Sequence, residues 1–173
     1  MVLVVPPDLV DLEVPGVAVV AGGATRSASV RAGLDALPPE VKLVLVHDAA
    51  RPAASAELFR TVRAGLERGA DAVVPGLPVV DTIKQVEQRG TEVVVASTPD
   101  RATLVAVQTP QGFRVDRLRD AHATGGEATD DAALIEALGL EVVVVPGEPG
   151  NVKLTDPADR DRIEAAILSG VTS

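Results

Sequence analysis

Lys42-Leu-Val-Leu-Val-His-Asp-Ala-Ala-Arg-Pro52 is the stretch on which the reading of this chain turns. The run Lys42–Val46 is apolar at every position after the first, the pattern of a short strand covered on both faces. His47 and Asp48 stop it abruptly, and Arg51 follows three residues on. In open α/β sheets ligands gather beyond the carboxyl ends of strands, and an Asp placed there can hold Mg²⁺ through oxygen. Arg51 is then within reach of an anion beside that metal. The plainer alternative is that Asp48 closes a loop while Arg51 pairs with a surface carboxylate.

Working outward, similar runs recur at Val2–Val5, Val17–Val20, Ala72–Val74, Leu104–Val107 and Glu141–Val145, each bounded by Gly, Pro or Asp. Between them lie helical spacings: Val30 with Leu34, Phe59 with Val62 and Leu66, and Leu134 with Leu138 ahead of the stop residue Gly139. A last helix is signalled by Thr155 and Asp156 as caps, Pro157 in the first turn, and Ile163 and Ile167 pointing inward. Alternation of this kind predicts an α/β fold with a mostly parallel sheet and helices on both sides, in one domain over residues 1–173. Residues 81–98 break the alternation. Two strand-like runs flank Arg89-Gly90-Thr91, and their polar face is too hydrophilic for a central sheet, so they read as a protruding β-hairpin arm. An isolated hairpin is marginal in water, and a second subunit is the simplest partner for it.

Composition narrows the function. The chain has 173 residues and is 46% hydrophobic, but only 1% aromatic, with two Phe and no Tyr or Trp. Its core must be aliphatic, and it offers no platform for stacking single-stranded bases. A net charge of −9 opposes binding to nucleic acid or to an anionic membrane surface, so any cation that meets a phosphate must do so locally, in a pocket. Cysteine is absent, which excludes disulfides and thiolate metal sites. No apolar run approaches the roughly 20 residues of a membrane-spanning helix, and the first residues lack the basic region of a signal peptide. A cytoplasmic protein is expected.

Further motifs stand at predicted strand ends. Gly22-Gly23 leads into Thr25, Ser27 and Ser29. Glycines there let backbone approach a ligand and the helix start offers free N–H groups, although they equally make a turn that Thr25 or Ser27 caps. Arg101 ends the arm, and Gln108-Thr109-Pro110-Gln111-Gly112-Phe113 follows the next strand; hydroxyls and an Arg at such places bind phosphate or simply form turns. Thr129-Asp130-Asp131 reads as a helix cap. Lys153, just ahead of the last predicted helix, opposes the helix dipole and calls for an anion, either a ligand or a carboxylate of the protein. His47 and His122 lie far apart in unlike contexts, which argues against a His-based metal site or a serine triad.

Taken in order, the segments 22–30, 47–52, 81–84, 100–101, 108–113, 128–131 and 151–155 resemble the 2-C-methyl-D-erythritol 4-phosphate cytidylyltransferases, over essentially the whole chain. The resemblance implies a Rossmann-like nucleotidyltransferase fold, a three-layer sandwich that dimerises through a β-arm. It implies transfer of the cytidylyl group of CTP to methylerythritol phosphate with release of pyrophosphate, using Mg²⁺, in isoprenoid precursor synthesis. By position, Gly22, Gly23 and Ser29 would meet the cytidine end, and Asp48 would hold the metal, with Ala49 beside it. Arg51, Thr82, Thr109 and Thr129 would line the substrate pocket. Arg101, reaching across the dimer, and Lys153 would orient the attacking phosphate as the catalytic cations. The family often carries an acidic residue where Ala24 stands here.

The family also begins with a strand, a glycine-rich loop and a Pro-Lys pair that wrap the triphosphate, and nothing in residues 1–173 corresponds to them. The sheet is therefore expected to lack a central strand and the chain as given to be a poor catalyst, since losing one charge-stabilising donor typically costs about 10²–10³ in rate. Two other functions fit the letters: a dimeric remnant that binds a nucleotide or sugar phosphate without turning it over, and a ribitol 5-phosphate cytidylyltransferase. Ala50 leans against the second, because those sister sequences tend to carry Val there.

Overall fold

The computed structural model describes residues 1–125 and 128–170. In chain order its elements are β1 (Val2–Val5), β2 (Ala18–Ala21), α1 (Arg26–Asp35), β3 (Leu43–Val46), α2 (Ala56–Glu67), β4 (Ala72–Pro78), β5 (Gln85–Arg89), β6 (Glu92–Ser97), β7 (Val105–Val107), β8 (Gln111–Arg114), α3 (Val115–Ala123), α4 (Asp131–Ala137), β9 (Val142–Pro146) and α5 (Asp159–Gly170). Short 3-10 turns lie at Pro7–Leu9 and Arg101–Thr103.

The most buried strand is β4, whose Ala72, Val73 and Val74 are at most 2% exposed. It pairs parallel with β9 and antiparallel with β7 and β8, and β8 pairs antiparallel with β3. Thus β3, β4 and β9 share one direction while β7 and β8 run against them. The α/β class holds, but the sheet is mixed where the alternation of runs predicts a mostly parallel one. The difference comes from β7, an expected run that lies antiparallel to β4, and from β8. Gln111-Gly-Phe-Arg114 carries a single large apolar residue, so no hydrophobic run marks it as a strand, yet it is inserted between β3 and β4.

Helices cover both faces. Leu34, Phe113, Leu118, Leu134 and Ile135 form one core beneath α1, α3 and α4, and Val62, Leu66, Val73 and Val145 form another beneath α2. Each such buried side chain contributes on the order of 1.5–3 kcal/mol. The Ser55 hydroxyl starts α2 by accepting from the Leu58 N–H. Leu58, not Phe59, takes the inward position of its first turn, and the Phe59 ring lies instead 5.1 Å from that of His47.

In α4 the inward pair is Leu134 and Ile135. Leu138 is 39% exposed because it is already the capping residue. Gly139 follows at φ +74°, and the N–H groups of Gly139 and Leu140 turn back onto Glu136 and Ile135, closing the helix as its sequence predicts. The last helix departs from expectation. It begins at Asp159, whose carboxylate accepts from the Thr155 N–H and hydroxyl and from the Asp156 N–H, so Pro157 lies ahead of the first turn. Ile163 is buried, but Ile167 is 41% exposed. α3 is not among the expected helices, although Val115, Leu118, Ala121 and His122, which face inward, stand at helical spacing.

Residues 85–97 fold as the separate two-stranded β5–β6 sheet, turning at Gly90 with φ +64°. Val86, Val93 and Val95 on it are more than half exposed. At the opposite edge, β1 and β2 form a parallel pair of their own. Among the described residues β1 pairs with β2 alone and β3 with β8 alone, so the sheet divides between β1 and β3. An apolar cleft of about 550 Å³ fills the division, lined by Val2, Val4, Val30, Leu34, Leu43 and Leu45, with Asp48 at one end. None of the described helices is long and apolar enough to cross a membrane.

Candidate active site

The half-buried β3 delivers His47 and Asp48 at its carboxyl end, and a chain of hydrogen bonds fixes them there. The Thr109 hydroxyl accepts from the Asp48 N–H at 3.0 Å, so its own proton faces His47 Nδ1, also at 3.0 Å. The other ring nitrogen, Nε2, then carries its proton toward the Arg51 carbonyl at 3.1 Å. Burial pushes the His47 ring below its ordinary 6.5, outweighing the upward pull of the Arg51 carbonyl and of Asp48, which keeps it neutral in this relay.

Asn151, fully buried, ties the next two segments together. Its amide donates to the Thr109 carbonyl at 2.8 Å, and its own carbonyl accepts from Arg51 Nη1 at 2.8 Å and from Gln108 Nε2 at 3.2 Å. The Leu154 N–H then bonds the Ala50 carbonyl at 2.8 Å. These bonds bring Lys153 over Asp48, with Nζ 2.9 Å from the carboxylate. Lys153 thus finds its anion in the protein's own carboxylate; and since α5 starts only at Asp159, the dipole reason for expecting one does not apply. Burial raises the Asp48 carboxyl, but the hydrogen bond and charge of Lys153, together with Arg26 and Arg51, prevail and hold it below its ordinary value.

Asp48 and Arg51, three residues apart, are thus tied to the remote Thr109 and Lys153 in one bonded cluster beyond the end of β3. Of these four only Asp48 lines the cleft between β1 and β3, where Ser29 and Ala49 stand on the same wall. The Gly23 N–H donates to Ser29 Oγ at 3.2 Å, and Thr25 caps α1 by accepting from the Ala28 N–H. The glycines serve close packing: a Cβ on Gly23 would stand 2.4 Å from that of Ala28, and one on Gly22 would stand 2.8 Å from Ser29 Oγ. The other expected residues lie elsewhere. Thr82 is exposed at the base of the arm, where Arg101 Nη1 donates to the Val80 carbonyl at 2.7 Å. No hydrogen bond or ion pair links either to Asp48, Arg51 or Lys153 among the described residues. Thr129 is exposed just ahead of α4, whose cap is Asp130.

Asn151 and Gln108 hold the site, although in sequence they have no role beyond membership of the segments 151–155 and 108–113. Nothing local marks Asn151 for burial, and only the bonds of its side-chain amide and backbone carbonyl in the fold reveal it. Among the described residues no group of three or more His, Cys, Asp or Glu side chains gathers to hold a metal. Asp48 is a lone carboxylate, a donor set that fits Mg²⁺ when phosphate oxygens and waters fill the other positions.

A sheet between helical layers, with a carboxylate and cations gathered beyond a strand end, is the frame of an α/β nucleotidyltransferase. A solved 2-C-methyl-D-erythritol 4-phosphate cytidylyltransferase from Thermus thermophilus superposes with a TM-score of 0.77 at 40% identity, covering 97% of this chain and 80% of that one. The 4-diphosphocytidyl-2C-methyl-D-erythritol synthase of Anaerococcus prevotii gives 0.82 at 32% identity, covering 97% and 77%. Residues 2–169 match the model of the family described as IspD, 2-C-methyl-D-erythritol 4-phosphate cytidylyltransferase, and the chain belongs to that family. The enzyme of that name from Streptomyces coelicolor is 52% identical over 153 residues, which make up 86% of this chain and 57% of that relative. The chain thus spans less than three fifths of that relative's length.

Proposed function

We propose that this chain carries the acceptor-side half of a cytidylyltransferase site, which joins CMP from CTP to 2-C-methyl-D-erythritol 4-phosphate and releases pyrophosphate. The observation that carries this reading is the meeting of Asp48, Arg51, Thr109 and Lys153 beyond the end of β3. In the reaction an oxygen of the sugar phosphate attacks the α-phosphorus of CTP, a new P–O bond forms, and the bond to the β-phosphate bridge breaks in line. Little covalent work falls to the protein, which must hold two anions in line and offset their charge.

Each group has a part in that work. Lys153 leaves Asp48 for the attacking phosphate once substrate charge competes for it. Arg51, anchored through Nη1 on the Asn151 carbonyl, and the Thr109 hydroxyl bind the sugar phosphate. Gly22, Gly23, Ser29 and Ala49 form the wall on the cytidine side. Asp48 would hold Mg²⁺, which when bound supplies positive charge to the triphosphate. The exposed valines of β5–β6 suit a homodimer, in which Thr82 and Arg101 at the arm's base reach the partner's site. The setting of such a reaction is the cytoplasm.

The test is pyrophosphate release from CTP and Mg²⁺ with methylerythritol phosphate or ribitol 5-phosphate as acceptor. In a chain restored with the family's glycine-rich N-terminal segment, release with the first and not the second is expected, and Lys153→Ala and Arg101→Ala should each slow it at least tenfold, about 1.4 kcal/mol of barrier. Unchanged turnover in either variant removes that residue from the mechanism. CTP binding without any release would mark a binding protein instead.

A further inference from the structure

Away from the groups that meet substrate lies a buried ionic chain. Arg26, in the first turn of α1, and Asp131, in the first turn of α4, are 105 positions apart and join through Nη2 and Oδ2 at 2.7 Å. Asp131 is fully buried. Its second oxygen, Oδ1, accepts from Nε2 of His122 at 2.9 Å, and the His122 side chain is 2% exposed. Of the three, only Arg26 reaches the cleft, where it lines the same wall as Ser29, Asp48 and Ala49 and is a third exposed.

Stability alone is a weak reason for this arrangement. A buried ion pair loses in desolvation much of what it gains in attraction, and apolar replacements of similar volume are often as stable. What the chain does accomplish is to fix the direction of one cation. A guanidinium free in this cleft would have Asp48 as a neighbouring carboxylate, one that already accepts Lys153 at 2.9 Å. Held by two cations at once, Asp48 would have its charge offset and fewer lone pairs free for a metal–nucleotide complex.

We propose that Asp131, braced by His122, is a positioning residue that sequesters Arg26, so that the guanidinium contributes its charge to the cleft without closing on Asp48. The inference rests on the nucleotide reading above. Arg26 also helps hold the Asp48 carboxyl in its ionised form, from a distance rather than by contact.

The experiment is calorimetric titration of the protein with CTP over a series of Mg²⁺ concentrations. In Asp131→Asn, which keeps the volume and removes the charge, the Mg²⁺ needed for half-maximal binding should rise about tenfold, the scale of one charge-assisted hydrogen bond. The decisive variant is D131N/R26Q. Removing the released guanidinium should bring the Mg²⁺ requirement back toward that of the wild type, although it deletes a second residue. A merely structural pair predicts a double variant no better than the single one, and that result overturns the proposal, as does a D131N protein with an unchanged requirement. Should D131N fail to fold, His122→Leu and His122→Gln decide. The first loses the brace and should raise the requirement, whereas the second keeps an N–H donor and should stay near wild type; equal behaviour of the two overturns the proposal. Wild-type protein that binds no CTP at any Mg²⁺ level removes the nucleotide reading itself, a result distinct from all of these.

Discussion

A neutral histidine between a threonine hydroxyl and a carbonyl is a pH-sensitive part. The His47 ring can accept from Thr109 and donate to Arg51 only with one proton, and burial favours that state by lowering its pKa below the ordinary 6.5. The unfolded chain therefore takes up a proton at a higher pH than the folded one, so between the two pKa values the unfolded state binds more protons and stability rises with pH. The contribution is complete above about 6.5 and is lost as pH falls toward the folded pKa. Asp48 is shifted in the same direction, but its window lies below its ordinary 3.8 and does not overlap. Melting temperature measured from pH 8 to pH 5 should fall in the lower half of that range for wild type, and His47→Gln should flatten the curve there. Parallel curves for the two proteins would show that His47 does not titrate with folding.

Glycine and valine decide the behaviour of two elements. Gly112 lets α2 lie directly on β8, and a Cβ there would stand 2.7 Å from Val62 and 2.9 Å from Leu66. Both neighbours are fully packed, so Gly112→Ala should cost about 1–3 kcal/mol in urea unfolding, the usual penalty of overpacking; a loss well below that range would mean that α2 can shift outward freely. On the arm, Val93 and Val95 are 64% and 58% exposed. If the arm carries the proposed homodimer contact, a V93D/V95D protein should sediment as a monomer under conditions where the wild type sediments as a dimer, and a dimer that survives both charges would place the contact elsewhere. These elements also show what a sequence reveals. β4 is legible because it is buried on both faces and apolar throughout, β3, β7 and β9 because they are unbroken aliphatic runs although β7 is exposed and the other two only partly buried, and the arm because it alternates. In contrast, β8 is a strand by position rather than composition. Gln111 Nε2 donates to Asp130, a partner 19 residues away, and Gly112 is there for the helix above it. In α3 the inward Val115, Leu118, Ala121 and His122 do follow helical spacing, but with a single Leu among charged residues the stripe is faint, and Leu138 loses its expected inward position to the turn that ends α4.

At the scale of the molecule the candidate site was legible in part, and the boundary has a physical cause. Asp48, Arg51 and Thr109 stand at strand ends or just beyond them, where position along the chain predicts position in space, whereas Lys153 lies in the loop between β9 and α5 and is brought in by the bonds of Asn151 and Leu154. Asp131 and Asn151 act through burial, which depends on several remote segments and leaves no local mark. Thr82 and Arg101 sit on the arm and stay apart from the cluster within one chain. The open division between β1 and β3 has a consequence that can be measured on the chain itself. Its apolar walls enclose about 550 Å³, within the range of roughly 300–1,000 Å³ typical of small-molecule pockets. A fluorescent apolar dye such as anilinonaphthalene sulfonate should therefore bind the native protein. Dye binding is also a mark of loosely packed states, so the two must be separated: here the signal should be lost in one cooperative urea transition together with the helical circular dichroism, rather than rising part-way through it. Val4→Lys places a charge on the wall of the cleft and should sharply reduce the native-state fluorescence while leaving that transition cooperative. Native protein that leaves the dye dark would mean that the two half-sheets close on each other in solution, and the separation of β1 from β3 would not persist there.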